Sequence, residues 1–269
     1  MIDLHSHILC GLDDGAGSLD TSVEMARIAV ADGITLMACT PHVTPGVYPN
    51  SSATILPAMD RLQGILGERG IPLALVQGAD VHVDWNLPAR LANREIPTLN
   101  GSRYFLLEPT QQVFVPRLED LVQRLLKDGF IPIITHPERS RWIGSHYEVV
   151  RRLNAMGCPL QLTAGSLHGH FGQQARDFTV QMLDDDMDCI FASDAHGVRS
   201  RTPELSGAMR AVAERWGQEA ADQMFLNSPA IILADENLPP PRAARGNRRA
   251  RGRYRDTIGK LAGLLRAEH

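Results

Sequence analysis

Ile131-Pro132-Ile133-Ile134-Thr135-His136-Pro137-Glu138-Arg139 is a short apolar run that stops on a histidine, a proline and two charges. Such a run predicts a buried strand, with the polar residues in the loop that follows it. The same figure recurs along the chain. Ile2–Leu4 runs into His5 and His7, Thr35–Thr40 into His42, Leu73–Gln77 into Asp80, Tyr104–Leu107 into Glu108, and Cys189–Ala192 into Asp194 and His196; Leu160–Leu162 is a seventh run without such an ending. Helical patterns lie between the runs. In the first, Thr21-Ser22-Val23-Glu24 reads as a capping box, Val23, Ala26 and Val30 share a face, and Gly33 ends the helix. Others fill 53–68, 117–128, 147–156, 173–185 and 204–216. Strict alternation of strand and helix predicts an α/β domain, a parallel sheet with helices outside it. Periodicity alone does not separate an open sheet from a barrel, but the strand endings favour the barrel. There the C-terminal strand ends converge on one face, whereas an open sheet spreads them out. One histidine after one strand is an ordinary polar loop residue; eight ligand-type residues at the same phase of six strands are a site.

The pairings within that set make physical sense. In His5-Ser6-His7 the period of two in an extended segment turns both imidazoles to one side, and Asp194-Ala195-His196 repeats the device. Imidazoles and carboxylates without sulfur suit Mn, Fe or Zn with open coordination positions, which points to a catalytic centre and away from a closed structural zinc site. The other histidines, His82, His146, His168, His170 and His269, are expected in solvent-facing or capping roles, with His168 and His170 best placed to line a pocket mouth.

Composition sets the bounds. A chain of 269 residues that is 43% apolar can bury a large single core. A net charge of −4 gives no global field for nucleic acid, no apolar run approaches a membrane span, and Met1-Ile2-Asp3-Leu4-His5 does not read as a signal peptide, so the expected compartment is the cytoplasm. Cys10, Cys39, Cys158 and Cys189 lie far apart, as reduced core thiols do. The charge is uneven: residues 242–269 hold nine Arg or Lys against two acids, a net +7, which leaves −11 on residues 1–241. Pro239-Pro240-Pro241 marks the change, so 1–238 reads as the domain and 239–269 as a Pro/Arg-rich basic tail. That tail is either a solvated end or a docking segment for an anionic membrane surface or acidic partner.

The His5-x-His7 start, the Asp13-Asp14-Gly15 turn, Thr40-Pro41-His42, His136-Pro137-Glu138-Arg139 and Ser193-Asp194-Ala195-His196 together resemble the PHP superfamily. Within it they resemble the metal-dependent bacterial protein-tyrosine phosphatases of capsule and exopolysaccharide operons. The similarity runs from Met1 to about Leu233. It implies a distorted (β/α)7 TIM-like barrel with a centre of up to three ions, Mn2+ first and Fe or Zn next, at the C-terminal strand ends. By the same resemblance His5, His7, Asp80 and Asp194 hold one ion, Asp80, Glu108 and His136 a second, and Asp14, His42 and His196 a third. Arg139 and Arg201 match the arginines that grip the phosphate, and Ser166–Gly172 resembles a family loop in which His168 and His170 are candidates to touch substrate, with His170 where a basic residue is expected. Asp80 stands where the family usually has glutamate, one methylene longer.

The implied reaction is hydrolysis of phosphotyrosine, on a bacterial tyrosine kinase governing polysaccharide synthesis or export, by hydroxide formed on the cations. Arg139 and Arg201 neutralise the phosphoryl oxygens, and His42 or a bound water returns a proton to a phenol of pKa near 10. No Cys is followed six positions later by Arg, so the cysteine mechanism lacks its signature. Two alternatives stand beside this reading: a small-molecule phosphatase of the histidinol-phosphate type or a phosphodiesterase, and an inactive metal-binding scaffold. A homo-oligomer is compatible with the sequence.

Overall fold

The computed structural model describes residues 1–239; the basic tail read from the sequence lies outside the described residues apart from its first proline. In chain order the elements are β1 (Ile2–Ser6), α1 (Leu19–Asp32), β2 (Leu36–Cys39), β3 (His42–Val43), α2 (Ser52–Glu68), β4 (Ala74–Gln77), β5 (Asp80–His82), α3 (Leu87–Ala92), β6 (Tyr104–Glu108), α4 (Leu118–Lys127), β7 (Ile131–Thr135), α5 (Ile143–Ala155), β8 (Leu160–Thr163), α6 (Ala164–Leu167), α7 (Gln173–Asp184), β9 (Cys189–Ala192), α8 (Ser206–Trp216), α9 (Gln218–Asp222) and α10 (Ser228–Leu233). Among the described residues no helix is long and apolar enough to cross a membrane.

All strand pairs are parallel, in the orders β1-β2-β4 and β3-β5-β6-β7-β8-β9. These are parts of one ladder. Leu36 pairs with Ala74 and His42 with Asp80 at the same sequence offset, so β2 and β3 are halves of one strand, as are β4 and β5. The first break falls at Thr40-Pro41, where proline has no N–H for the ladder. Its partner breaks at Gly78, where a Cβ would stand 2.9 Å from the side chains of both Leu99 and Thr40. Counted this way there are the seven strands that the apolar runs predict. The open seam between β9 and β1 is bridged at the top: the Asp194 amide donates to the His5 carbonyl and the His7 amide to the Ala195 carbonyl, both at 2.9 Å. The buried Asp3 carboxylate accepts from the Ser193 amide at 3.0 Å and its hydroxyl at 2.5 Å across the same seam. The result is a distorted (β/α)7 barrel.

Alternate strand residues fill its interior. Leu4, Leu36, Ala38, Val76, Tyr104, Leu106, Ile133 and Ile190 form one buried cluster, with Ile232 and Leu233 of α10 packed against them. The larger cluster joins the outer strand faces to the helices. On β1 the pairing register slips by one between Asp3 and Ser6. A bulge of this kind re-aims side chains, and here it lets His5 point inward although its neighbour Leu4 already does.

Gly33 ends α1 as predicted, with φ of 93°. The start differs: Ser18 caps α1 through a bond from the Thr21 amide at 3.2 Å, and Thr21–Glu24 lie inside the helix. Asp20 in the first turn adds a favourable negative charge there, so the helix nucleates one turn earlier than the capping-box pattern suggests.

Candidate metal centre

The strand ends deliver the predicted side chains to one place. Three overlapping groups of ligand atoms form there: His5, His7 and Asp80; His42, Asp80 and Glu108; and His7, Asp14, His42 and His196. Asp194 joins the first group, its Oδ1 3.4 Å from Nε2 of both His5 and His7. His136 joins the second through Glu108, Nε2 to Oε1 at 3.5 Å. Asp14 Oδ1 lies 3.6 Å from Nε2 of both His42 and His196. The grouping differs from the expected one in two respects. His42, whose Nδ1 is 3.2 Å from Asp80 Oδ2 and 3.4 Å from Glu108 Oε2, joins the Asp80–Glu108 pair beside His136, and His7 also faces the Asp14 group. The reason for the second is local: His7 Nδ1 is held by Asp13 Oδ2 at 2.6 Å, which leaves Nε2 aimed between two groups.

Asp13, Gln161 and Gly15 are the parts that strand-end counting leaves out. Asp13 also accepts from the His42 amide at 2.9 Å, and Gln161 Oε1 pairs with His5 Nδ1 at 2.8 Å. Both fix a ligand imidazole by its far nitrogen, the usual device for setting tautomer and ring direction. Gly15 lets the turn close on His7, because a Cβ there would lie 2.2 Å from the His7 carbonyl oxygen. The doubled acid Asp13-Asp14 before glycine was the available signal for the first; Gln161, in the run without a ligand ending, had none.

Asp80 occupies both the first and second groups despite its short side chain, with Oδ2 3.6 Å from His5 Nε2. Its two oxygens are buried without a hydrogen-bond donor, as are His42 Nδ1, His136 Nδ1 and His196 Nε2. Buried polar atoms left unpaired are costly and rare. So many in one nest of nitrogen and oxygen donors fit divalent cations.

Protonation of these side chains follows the same geometry. Burial opposes charge on His7, but the carboxylates of Asp13 and Asp194 outweigh it and lift its pKa to about 10. Burial pushes Asp13 up, yet His7 and two backbone amides bring it down to about 2. Burial, then the positive charges of His7 and Arg201, depress His196 to about 2. His136 is lowered by burial and by Arg139.

Arg139 and Arg201 converge on a single atom. Arg139 Nη1 and Arg201 Nη2 both pair with Asp194 Oδ2, the latter at 2.5 Å, while Oδ1 faces the histidines. Burial resists charge on Asp194, but His5, His7 and the two arginines hold it ionised far below the usual carboxylate range. Phe171 stacks under the Arg139 guanidinium at 4.2 Å. His136, Asp194 and Arg201 all sit in the left-handed region, with φ of 32°, 52° and 50°. Side chains rarely adopt it, and such strain gathers at functional sites. Arg201, His168 and His170 line a cavity of about 520 Å3 that also reaches Ser193.

Residues 1–234 match the family model described as capsular polysaccharide synthesis, CpsB/CapC. The chain is 36% identical over 240 residues to tyrosine-protein phosphatase YwqE of Bacillus subtilis, covering 88% of this chain and 93% of that protein. It is 28% identical over 245 residues to tyrosine-protein phosphatase CpsB of Streptococcus pneumoniae, covering 88% and 99%. A solved structure from work on YwqE and CpsB, described as unique metal-dependent tyrosine phosphatases, superposes with a TM-score of 0.85 at 34% identity, over 90% of this chain and 98% of that one. A nest of strand-end imidazoles and carboxylates on a seven-stranded barrel, matched over nearly the whole domain, places the chain in the CpsB/CapC family of capsular polysaccharide synthesis proteins.

Proposed function

We propose that the chain is a metal-dependent tyrosine-protein phosphatase whose substrate is a tyrosine-phosphorylated protein, a bacterial tyrosine kinase controlling polysaccharide synthesis or export. The observation that carries this reading is Asp194: one oxygen faces the histidine groups and the other anchors Arg139 and Arg201, which ties a cation nest to an oxyanion grip. The residues to hold cations are His5, His7, Asp14, His42, Asp80, Glu108, His136, Asp194 and His196, with Mn2+ first among candidates and Fe or Zn next. Bound there, such ions supply a water-derived nucleophile at neutral pH and neutralise phosphoryl oxygens.

The chain's own residues do the rest. Asp194 holds both guanidinium forks, and their remaining N–H groups are donors for the phosphoryl oxygens, where charge-assisted bonds are strongest. Phe171 keeps Arg139 from swinging away. His42 turns both ring nitrogens toward carboxylates, Nε2 to Asp14 and Nδ1 to Asp80, so the proton for the departing phenolate comes from water at the mouth and not from this imidazole. A phenol of pKa near 10 needs little such help, which favours an aryl ester over an alkyl one. Three of the four thiols, Cys39, Cys158 and Cys189, are buried, and burial pushes Cys158 up to about 12; the partly exposed Cys10 has no arginine six positions on, the signature of a cysteine nucleophile. Residues 1–238 are the catalytic unit in this reading, working in the cytoplasm, and the basic tail is a candidate for contact with anionic membrane. The test is turnover of a phosphotyrosine peptide and of histidinol phosphate by chelated protein resupplied with Mn, Fe, Co, Zn or Mg. The proposal expects metal-dependent turnover of the peptide; turnover of histidinol phosphate alone, or full activity after chelation, overturns it.

A further inference from the structure

The cavity beside Arg201 is larger than a phosphoryl grip requires. At about 520 Å3 it falls in the range of pockets that enclose a drug-sized ligand, roughly 300–1,000 Å3. It opens off the centre at Ser193 and Arg201, one residue and seven residues from Asp194, and extends between the His168–Phe171 loop and the start of α8.

Its charges are unequally engaged. Of its two arginines, Arg201 is committed to Asp194. Arg199 is exposed and makes no hydrogen bond or ion pair with any described residue. The two carboxylates of the lining are both occupied. Asp32 accepts from the amides of Leu205 and Ser206 at 2.6 and 2.9 Å and from the Ser206 hydroxyl, so it caps α8. Glu204 pairs with the Thr202 hydroxyl. Both carboxylates keep their negative charge but have their donors within the protein, and Arg199 is the one charged side chain of the lining that no described residue pairs. His168 and His170 stand together across it, ring centroids 6.0 Å apart, as further donors to an anion.

We infer that this cavity is an anion-accepting subsite, in which Arg199 receives an acidic group carried by the substrate chain next to the phosphotyrosine held at Arg139 and Arg201. The inference rests on the phosphatase reading and adds substrate selection to it. A peptide lying across the mouth presents its phosphotyrosine to the centre and the neighbouring side chain to the cavity. There a carboxylate, or the phosphate of a second phosphotyrosine, meets an unpaired guanidinium suited to bidentate capture.

The experiment compares kcat/KM for three phosphotyrosine peptides that differ at the flanking positions: neutral, glutamate-bearing and carrying a second phosphotyrosine. It uses the full chain, Arg199→Ala and Arg199→Glu, with a small aryl phosphate reporting whether each variant keeps a working centre. The wild type is expected to favour the acidic peptides by about fivefold, the scale of one partly exposed ion pair. Arg199→Ala should erase that preference and Arg199→Glu reverse it. A wild type indifferent to flanking charge, or a preference that survives both substitutions, overturns the subsite and leaves the phosphatase reading standing. Loss of all phosphotyrosine turnover in the wild type would instead overturn the phosphatase reading itself.

Discussion

Single residues divide into those that would touch cations and those that would touch phosphate, with Asp194 between. Because Asp194 Oδ2 is shared, removing either arginine leaves the other in place. Arg139→Ala or Arg201→Ala should therefore cost about 2 to 4 kcal/mol in kcat/KM, the scale of one charge-stabilising donor, with elemental analysis showing unchanged metal content. Asp80 already reaches two ligand groups, and both its oxygens are buried. A longer acid there overpacks the centre, so Asp80→Glu should lower turnover; a faster Asp80→Glu enzyme at limiting Mn would show that the short side chain leaves an ion loose. The His7–Asp13 pair makes a pH prediction for the chelated protein. His7 is raised to about 10, so its share of stability is whole below about pH 6.5 and lost as pH rises toward 10; Asp13 is depressed to about 2, so its share is whole above about pH 4 and lost as pH falls toward 2. Thermal unfolding of wild type minus Asp13→Asn should therefore differ most between pH 4 and 6.5 and converge on either side. A difference that stays the same from about pH 2 to about pH 10 would remove the pair from the stability of the centre.

At the scale of elements, the ligands depend on interruptions of regular structure. The β1 bulge turns His5 inward, the break at Thr40-Pro41 separates β2 from the His42 segment, and the β1–α1 turn folds back on His7 at Gly15. That turn is the most sensitive of them. Since a Cβ on residue 15 would sit 2.2 Å from the His7 carbonyl and 2.4 Å from the His7 Cβ, Gly15→Ala must move either the turn or the ligand. The expected outcome is a folded protein by circular dichroism with reduced metal content and at least tenfold lower turnover, roughly the effect of disturbing ligand support. Full metal and activity in Gly15→Ala would mean the turn adapts without shifting His7 or Asp14.

For the whole molecule, the ligand set and both arginines fall within residues 5–201, and the family match ends at 234. The basic segment thus adds charge outside the matched region. Deleting residues 239–269 should leave hydrolysis of a small aryl phosphate intact and weaken binding to anionic vesicles in low salt, since seven arginines between Pro241 and Asp256 would each add about 1 kcal/mol near such a surface. Vesicle sedimentation that is equal for both chains would make the segment a solvated end.

Much of this protein is legible in the linear chain because a parallel barrel converts sequence phase into spatial position. Seven apolar runs predict the strands, and the residue after each run lands on the same rim. That is why His5, His7, His42, Asp80, Glu108, His136, Asp194 and His196 are identifiable without coordinates. The sequence by itself therefore determined the layers, the parallel strands and the set of candidate ligand residues. What only the tertiary structure decided is how that inventory is shared. That His42 faces the Asp80–Glu108 pair as well as Asp14, that Asp13 and Gln161 hold the far sides of two imidazoles, and that Arg139 and Arg201 meet on one oxygen are facts of a few ångströms between residues far apart in the chain. They follow from a bulge, a broken strand and three left-handed residues. These features arise where packing of the barrel overrides local backbone preference, and local preference is all that periodicity records.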